Sequence, residues 1–246
     1  MSIEEIIEKS FNDLIKAITT DGTSSQLIFP KYRNKTVRYS EQELKQIFLK
    51  NVEEDKNYFY SIETPTEYVY CISNSDNPTV KEVHEKDDNY KSARFDVSLY
   101  NTDYKVNDNA SHHIEFKYGN PDQKNAICKD FLKLVSEVKF TNEKKNFFVH
   151  YLCVKTEKGW ESRTFPSLFS KYLDSVADII KSDLINEEDL SKVTVYLLCI
   201  FEEPEAESEP KIASAYHFSL ADLKNYKVRT KYSDLTDKSW LNEELI

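Results

Sequence analysis

Apolar side chains near the start of the chain recur at intervals of three and four residues. They form one helical stripe from Ile3 to Ile18, and Gly22 follows shortly after it. A second helix is predicted over residues 41–51, because Ser40 and Glu43 have the spacing of a capping box, in which each side chain can bond the backbone amide of the other residue. The chain is therefore predicted to begin with two helices.

The middle of the chain alternates aromatic and β-branched residues with polar turns, a pattern typical of consecutive strands. Strands are predicted over residues 58–63, 67–73, 93–100 and 112–118, and the polar stretch 74–91 is predicted to be a loop. Helical spacing then returns over residues 125–138 and precedes an apolar strand at 147–154. The predicted order is helix, several strands, helix, strand.

The last third continues the alternation, with a helix over residues 167–182, strands over 193–201 and 212–218, and a short helix near 220–225. A helix between two buried strands predicts a right-handed crossover and parallel pairing of strands 147–154 and 193–201. We therefore predict an α/β fold with a mixed central sheet flanked by helices. Residues 1–246 are expected to form one domain, with a lead-in over 1–38, a core over 39–154 and an extension of the same sheet over 155–246.

Composition narrows the class of protein. The chain of 246 residues is 39% hydrophobic, which is enough for a sizeable core, and its four cysteines show no zinc-site or disulfide spacing. No stretch approaches the roughly 20 apolar residues that a bilayer crossing needs, and the N-terminus is acidic, so we expect a cytoplasmic protein without a membrane partner. A net charge of -10 argues against coating nucleic acid by bulk attraction, but a metal site must itself concentrate carboxylates.

Three residues in two neighbouring predicted strands carry candidate chemistry. Asp96 lies inside the strand 93–100, and Glu115 and Lys117 share one face of the strand 112–118. If the two strands pair as a hairpin, Asp96 comes alongside Glu115. Two carboxylates in that arrangement can bind Mg²⁺, and the lysine can stabilise charge on a phosphate or orient the attacking water.

The spacing of Glu115 and Lys117 is weak evidence by itself, since an acid two positions before a lysine recurs elsewhere, for example at Glu43 and Lys45. Only the Glu115 example lies in an apolar strand that follows another strand with a central acid. The alternative is an exposed cross-strand salt bridge on a half-buried sheet, contributing less than about 1 kcal/mol. The residues alone leave both interpretations open.

The order of elements, with an acid in one strand and Glu-x-Lys in the next, resembles the PD-(D/E)XK nuclease superfamily, which has a restriction-endonuclease-like core. The resemblance covers residues 39–154. It implies that Asp96 and Glu115 bind Mg²⁺ or Mn²⁺, that Lys117 is the catalytic lysine, and that the substrate is nucleic acid, with DNA expected. The proline that often precedes the first acid is absent, and Arg94 and Phe95 stand there instead.

Further positions could contribute to such a site. Many superfamily members place a glutamate on the helix before the sheet, which Glu43 or Glu41 would match, although capping accounts equally well for Glu43. Glu63 ends a strand before Pro65 and could reach the site. The predicted helix 125–138 and the residues just before it contain three lysines that could face phosphates or simply form a solvated surface, namely Lys124, Lys129 and Lys133.

Two hypotheses emerge from the sequence. The first is a metal-dependent nuclease, and the second is a catalytically inactive nuclease-like domain that binds a protein partner. His112 and His113 lie close to Glu115, but no Cys or His cluster in the sequence completes a zinc site around them. The sequence leaves open whether the chain forms a homodimer.

Overall fold

The computed structural model describes residues 1–19, 27–34, 37–71, 79–82, 93–103, 105, 109–121, 124–182, 185–202 and 213–225. The helices are α1 Ile3–Thr19, α2 Glu41–Asp55, α3 Lys124–Ser136, the single turn α4 Glu157–Gly159, and α5 Phe165–Ile179. The strands are β1 Tyr58–Pro65, β2 Tyr68–Cys71, β3 Thr79–Glu82, β4 Arg94–Asn101, β5 His112–Tyr118, β6 Asn146–Val154, β7 Val193–Phe201 and β8 Ala213–Ser219. Short 3₁₀ turns lie at Val138–Phe140, Glu187–Lys192 and Asp222–Asn225, and a π turn at Trp160–Thr164 joins α4 to α5.

Six strands form one mixed sheet in the order β1-β4-β5-β6-β7-β8. β5, β6 and β7 run parallel, and the remaining neighbours pair antiparallel. The predicted α/β class, the mixed sheet and the parallel pairing of β6 with β7 are therefore confirmed. β7 and β8 lie in the same sheet as β1, β4, β5 and β6.

The prediction for the segment between β1 and β4 was partly wrong. β2 is a strand as expected, but it pairs with β3 in a separate two-stranded sheet. β3 lies inside the stretch 74–91 that we predicted to be a loop, and the rest of that stretch is outside the described residues. Alternation of residue types indicates a strand without indicating which sheet it joins.

Helices cover both faces of the large sheet. One core joins α1 and α2 to residues such as Ile114 and Phe116 of β5. The other core joins α3 and α5 to residues such as Phe148 and Leu152 of β6. Parallel strands buried on both faces need apolar residues at successive positions, and every residue of β7 is buried. Among the helices that the structure describes, none combines the length and apolar composition that crossing a membrane requires.

α2 begins where the sequence predicts. The Glu43 carboxylate accepts hydrogen bonds from the Ser40 amide at 2.7 Å and from the Ser40 hydroxyl at 2.6 Å. The helix continues past Asn51, the predicted end, to Asp55. Asn51 is buried against α1, where its side-chain amide donates to Ser10 Oγ at 3.0 Å. Contact with α1 therefore accompanies the extra turn that local sequence did not predict.

Two buried histidines fill polar positions in the core. His150 lies between the carbonyl oxygen of Gly119, 2.6 Å from Nε2, and the hydroxyl of Tyr172, 2.5 Å from Nδ1. A neutral ring satisfies both contacts if Nε2 donates to the carbonyl and Nδ1 accepts from the hydroxyl. His113 stacks on Phe95 with ring centroids 4.0 Å apart. Burial lowers the pKa of each histidine to about 3.

These two pKa values predict that the protein loses stability in mild acid. Below about pH 6.5 histidines of the unfolded chain take up protons, whereas the buried rings stay neutral until about pH 3. The stabilisation is thus complete above pH 6.5 and is lost as the pH falls. Each histidine should contribute a slope of about 1.4 kcal/mol per pH unit. In urea denaturation from pH 7 to pH 4, His150→Gln should remove one such slope, and an unchanged pH dependence in this variant would contradict the prediction.

Candidate active site

β4 and β5 separate at the position of Asp96. Their ladder pairs Val97 with Ile114, and in the described part of the sheet it does not continue to residues 94–96. At that point Asp96 Oδ2 accepts a hydrogen bond from the backbone amide of Phe116 at 2.9 Å. A side-chain oxygen thus takes the place of a backbone carbonyl and bridges the two strands. We call this opening between residues 94–96 and β5 the fork.

The backbone of β4 changes direction at the fork. Phe95 and Val97 would share one face of a regular strand, yet Phe95 packs in the core with α3 and Val97 in the core with α1 and α2. On the neighbouring strand, the register places Glu63 opposite Asp96, and Glu63 has a positive φ of 54°. β1 and β4 are therefore both irregular where Glu63 lies opposite Asp96. This irregularity turns the Asp96 carboxylate toward the fork.

Glu115 is buried beside the fork, with only 4% of its surface exposed. Its Oε1 accepts a hydrogen bond from the ammonium group of Lys133, a residue of α3. The same ammonium group donates to the carbonyl oxygen of Arg94 at 2.9 Å and lies 3.3 Å from Asp130 Oδ1. The alternative of an exposed cross-strand salt bridge is therefore wrong for Glu115, because its partner is a buried helical lysine.

Lys117 lies on the α3 side of the sheet, as the alternation of β5 predicts. Its Nζ is 2.6 Å from Asp130 Oδ2, so the two groups form a close and largely buried ion pair. Asp130 therefore contacts both lysines, Lys117 through one oxygen and Lys133 through the other. The predicted catalytic lysine is on the expected face, but its nearest carboxylate is Asp130 rather than either predicted metal ligand.

A second helix contributes to the fork through Lys45 of α2. Its Nζ is 3.2 Å from Asp96 Oδ1 and 3.7 Å from Glu63 Oε1. Arg94 approaches the other oxygen of Glu63 at 4.0 Å. Glu63 is about half exposed, so it lies where the fork meets the protein surface.

These residues form one charged cluster. It consists of Glu41, Lys45, Asp96, Glu115, Lys117, Asp130 and Lys133. Glu41 belongs to it because it interacts with four of the other members. Burial and the carboxylates of Asp96 and Asp130 raise the pKa of Glu41, and Lys117 and Lys45 only partly oppose that rise. With every group ionised, four carboxylates face three ammonium groups, so negative charge is in excess.

Protonation in the charged cluster reflects this excess. Burial raises the pKa of Glu115 well above its ordinary value, and Asp130 raises it further, while Lys133 only partly opposes them. Burial disfavours the charged forms of Lys117 and Lys133, but the carboxylates around them outweigh burial and raise both pKa values. The lysines therefore remain ammonium ions, while Glu115 and Glu41 take up protons at a higher pH than an ordinary glutamate does.

The donor atoms of the charged cluster suit a hard divalent cation. Mg²⁺ is bound through oxygen, commonly by one or two carboxylates with water completing the shell. Asp130 Oδ2 is buried and lies 2.6 Å from the Lys117 ammonium group, so a metal ion at this oxygen would share it with Lys117. No group of three or more His, Cys, Asp or Glu side chains is placed to hold a metal ion in the described part of the chain. A site with two carboxylates and water is therefore the kind that these residues could form.

The remaining predicted residues have varied positions. Glu43 is engaged in the cap of α2 and Glu63 lies at the mouth of the fork. Lys129 is exposed on α3, whereas Lys133 is buried against Glu115 and does not lie on the solvated surface of the helix. Lys124 begins α3, and its side chain is outside the described atoms.

Sequence reasoning missed Lys45 and Asp130. Lys45 is three residues before Phe48, so it falls on the apolar stripe of α2, where an unpaired charge would be costly. Asp130 and Lys133 are also three residues apart and share one side of α3. The signal in the sequence was a charged residue on the apolar stripe of a helix. It indicates that the residue is buried, but not which residue is its partner.

Comparison of the chain with protein-family models, with curated proteins and with solved structures finds no match. Membership of the PD-(D/E)XK superfamily therefore stays a prediction.

The burial of the pair formed by Lys133 and Glu115 predicts an asymmetric response to mutation. Lys133→Met should lower the free energy of unfolding by about 3 kcal/mol, because it leaves a buried carboxylate without its cation. Adding Glu115→Leu to that variant should restore most of the loss, since apolar replacement of a whole buried pair is often neutral. Urea denaturation measures both effects. Lys129→Met on the exposed side of α3 is the matched control, and a Lys133 variant as stable as this control would contradict the prediction.

Proposed function

We propose that the chain is a metal-dependent nuclease that hydrolyses phosphodiester bonds, with DNA as the expected substrate. The observation that carries the proposal is the fork, where Asp96 and Glu115 from neighbouring strands share one buried charged cluster with lysines. Buried charges are unusual in a sheet interior unless they have a partner or a function. Here they accompany an interrupted strand ladder and a non-glycine residue with positive φ, features that concentrate at functional sites.

The order of elements supports a restriction-endonuclease-like core. α2 is followed by β1, β4 and β5 in antiparallel succession, then by α3 and the parallel strand β6. The small sheet of β2 and β3 is then an insertion between β1 and β4. This arrangement agrees with the resemblance on which the nuclease hypothesis was based, and fold alone does not establish activity.

In the proposed mechanism Asp96 and Glu115 would hold Mg²⁺ or Mn²⁺. The bound ion would supply an activated water and neutralise charge on the scissile phosphate. Lys117 is the more accessible of the two lysines that contact Asp130, with 20% of its side chain exposed against 5% for Lys133. We therefore assign to Lys117 the stabilisation of charge that develops on the phosphate. Asp130 holds this ammonium group in place until the substrate arrives.

A second candidate function is an inactive nuclease-like domain that binds a protein. The edge strand β1 exposes about half of the surface of Phe59 and of Ile62, at 54% and 55%. An edge strand with exposed apolar side chains can pair with another chain. The pairing of lysines with carboxylates at the fork also agrees with a site that does not catalyse a reaction.

Metal binding offers the first test. Mg²⁺ titrated into the protein in a calorimeter should bind, and Asp96→Asn should weaken binding about tenfold or more, because a neutral amide attracts a hard cation less than a carboxylate does. Asparagine keeps a side-chain oxygen that can accept from the Phe116 amide, so the fold should survive. Asp178→Asn, near the end of α5 and outside the charged cluster, is the control for removal of one carboxylate. Equal affinities in wild type and Asp96→Asn would eliminate Asp96 as a ligand.

Cleavage of nucleic acid offers the second test. Lys117→Ala should lower turnover by about a hundredfold or more, as loss of one transition-state electrostatic group typically does. Single- and double-stranded DNA and RNA should be assayed with Mg²⁺ and with chelator, using Glu115→Gln as a second variant and Lys129→Ala as the control. Cleavage that survives chelator, or both active-site substitutions, would defeat the mechanism. Absence of cleavage of every substrate would favour the protein-binding candidate.

A further inference from the structure

Each carboxylate assigned to metal binding is paired with a lysine from a different helix. Lys45 of α2 contacts Asp96 at 3.2 Å, and Lys133 of α3 donates a hydrogen bond to Glu115. Both lysine side chains are largely buried. The two ammonium groups therefore occupy one oxygen of each carboxylate, Oδ1 of Asp96 and Oε1 of Glu115, and a divalent cation bound there would compete with them.

The balance of charge determines how the charged cluster responds to a divalent cation. Without the cation, the four carboxylates of the charged cluster outnumber the three ammonium groups, and a phosphodiester anion is repelled. Two added positive charges reverse that sign. A cation on Asp96 and Glu115 also repels ammonium groups at the same oxygens, since like charges at such short range are unfavourable, especially away from water.

We propose that a divalent cation displaces Lys45 and Lys133 from Asp96 and Glu115, and that the released ammonium groups then bind phosphates of the nucleic acid. The proposal rests on the proposed function. It implies an order of events in which the cation binds first and the substrate second. It also assigns to Lys45 and Lys133 a role in substrate binding, in addition to that of Lys117.

The flexible side chain of each lysine allows this change of partner. A lysine carries its charge on a flexible four-carbon stem, so the ammonium group can move while the helix stays in place. Lys45 already lies 3.7 Å from Glu63, which is about half exposed at the mouth of the fork. Lys45 is therefore expected to be the nearer contact for a phosphate outside the fork, and Lys133 the deeper one.

The displacement can be tested in the wild-type protein without any nucleic acid. An amine-reactive reagent is applied with and without Mg²⁺, and the extent of modification at each lysine is read by mass spectrometry. Mg²⁺ should speed modification of Lys45 and Lys133 by about fivefold or more, the range of an ordinary coupling between two sites. Lys129, exposed on α3, should react equally in both conditions. Unchanged reactivity of Lys45 and Lys133 under saturating Mg²⁺ would overturn the proposal.

The role in substrate binding can be tested with an uncleavable ligand. A labelled DNA duplex with phosphorothioate linkages keeps its charge and resists hydrolysis, and its affinity is measured with Mg²⁺ and with chelator. Mg²⁺ should tighten binding about fivefold or more in wild type and in Lys129→Met. In Lys45→Met, Mg²⁺ alone should bind more tightly than in wild type, while the duplex should bind more weakly. A Lys45→Met protein that binds both ligands more weakly, or the duplex as tightly as wild type, would contradict the proposal.

The outcomes distinguish this proposal from that of nuclease activity. Lysine release and Mg²⁺-dependent duplex binding without cleavage would support the displacement and remove the hydrolytic function. Cleavage without lysine release would retain the nuclease and overturn the displacement. Lys45→Met is preferred to a Lys133 variant because Asp96 keeps its hydrogen bond from the Phe116 amide when Lys45 is removed, so the folded protein should persist.

Discussion

Burying ionised groups between a sheet and two helices is the constraint on which the arrangement around the fork depends. A carboxylate removed from water is strongly disfavoured unless cations and hydrogen-bond donors surround it. Glu115 meets this requirement through Lys133, and Asp96 meets it through Lys45 and a backbone amide. Because those lysines come from α3 and α2, each helix is linked to the sheet at the fork by an ion pair in addition to its apolar packing.

The interruption of β4 allows charges from both sides of the sheet to interact. A continuous sheet separates the groups on its two faces, and α2 and α3 pack in different cores. At the fork, however, Glu115 is influenced by Asp96, and Glu41 of α2 is influenced by Asp130 of α3. The charged cluster is thus one electrostatic unit that spans the sheet, and a change of charge on either face affects the other.

Much of the fold could be predicted because it depends on local periodicity. The stripe of α1, the cap at Ser40, and the long apolar strands β6 and β7 all specify their own structure. The site could be predicted only in part. Alternation along β5 predicts the face on which Glu115 and Lys117 lie, but the partner of each depends on α3, which packs across from another part of the chain. The change of direction at Asp96 has no local signature, since neither Phe95 nor Val97 differs from an ordinary strand residue.

The hydrogen bond from Phe116 to Asp96 affects how this position can change over evolutionary time. The carboxylate oxygen closes the strand ladder where the backbone no longer does, so selection on folding alone would preserve an acceptor at this position. A relative without catalytic activity could therefore retain aspartate, or carry asparagine, while Lys117 on the neighbouring strand varied more freely. An aspartate aligned at position 96 in a future relative would then be weak evidence of activity, and an aspartate accompanied by Lys117 much stronger evidence.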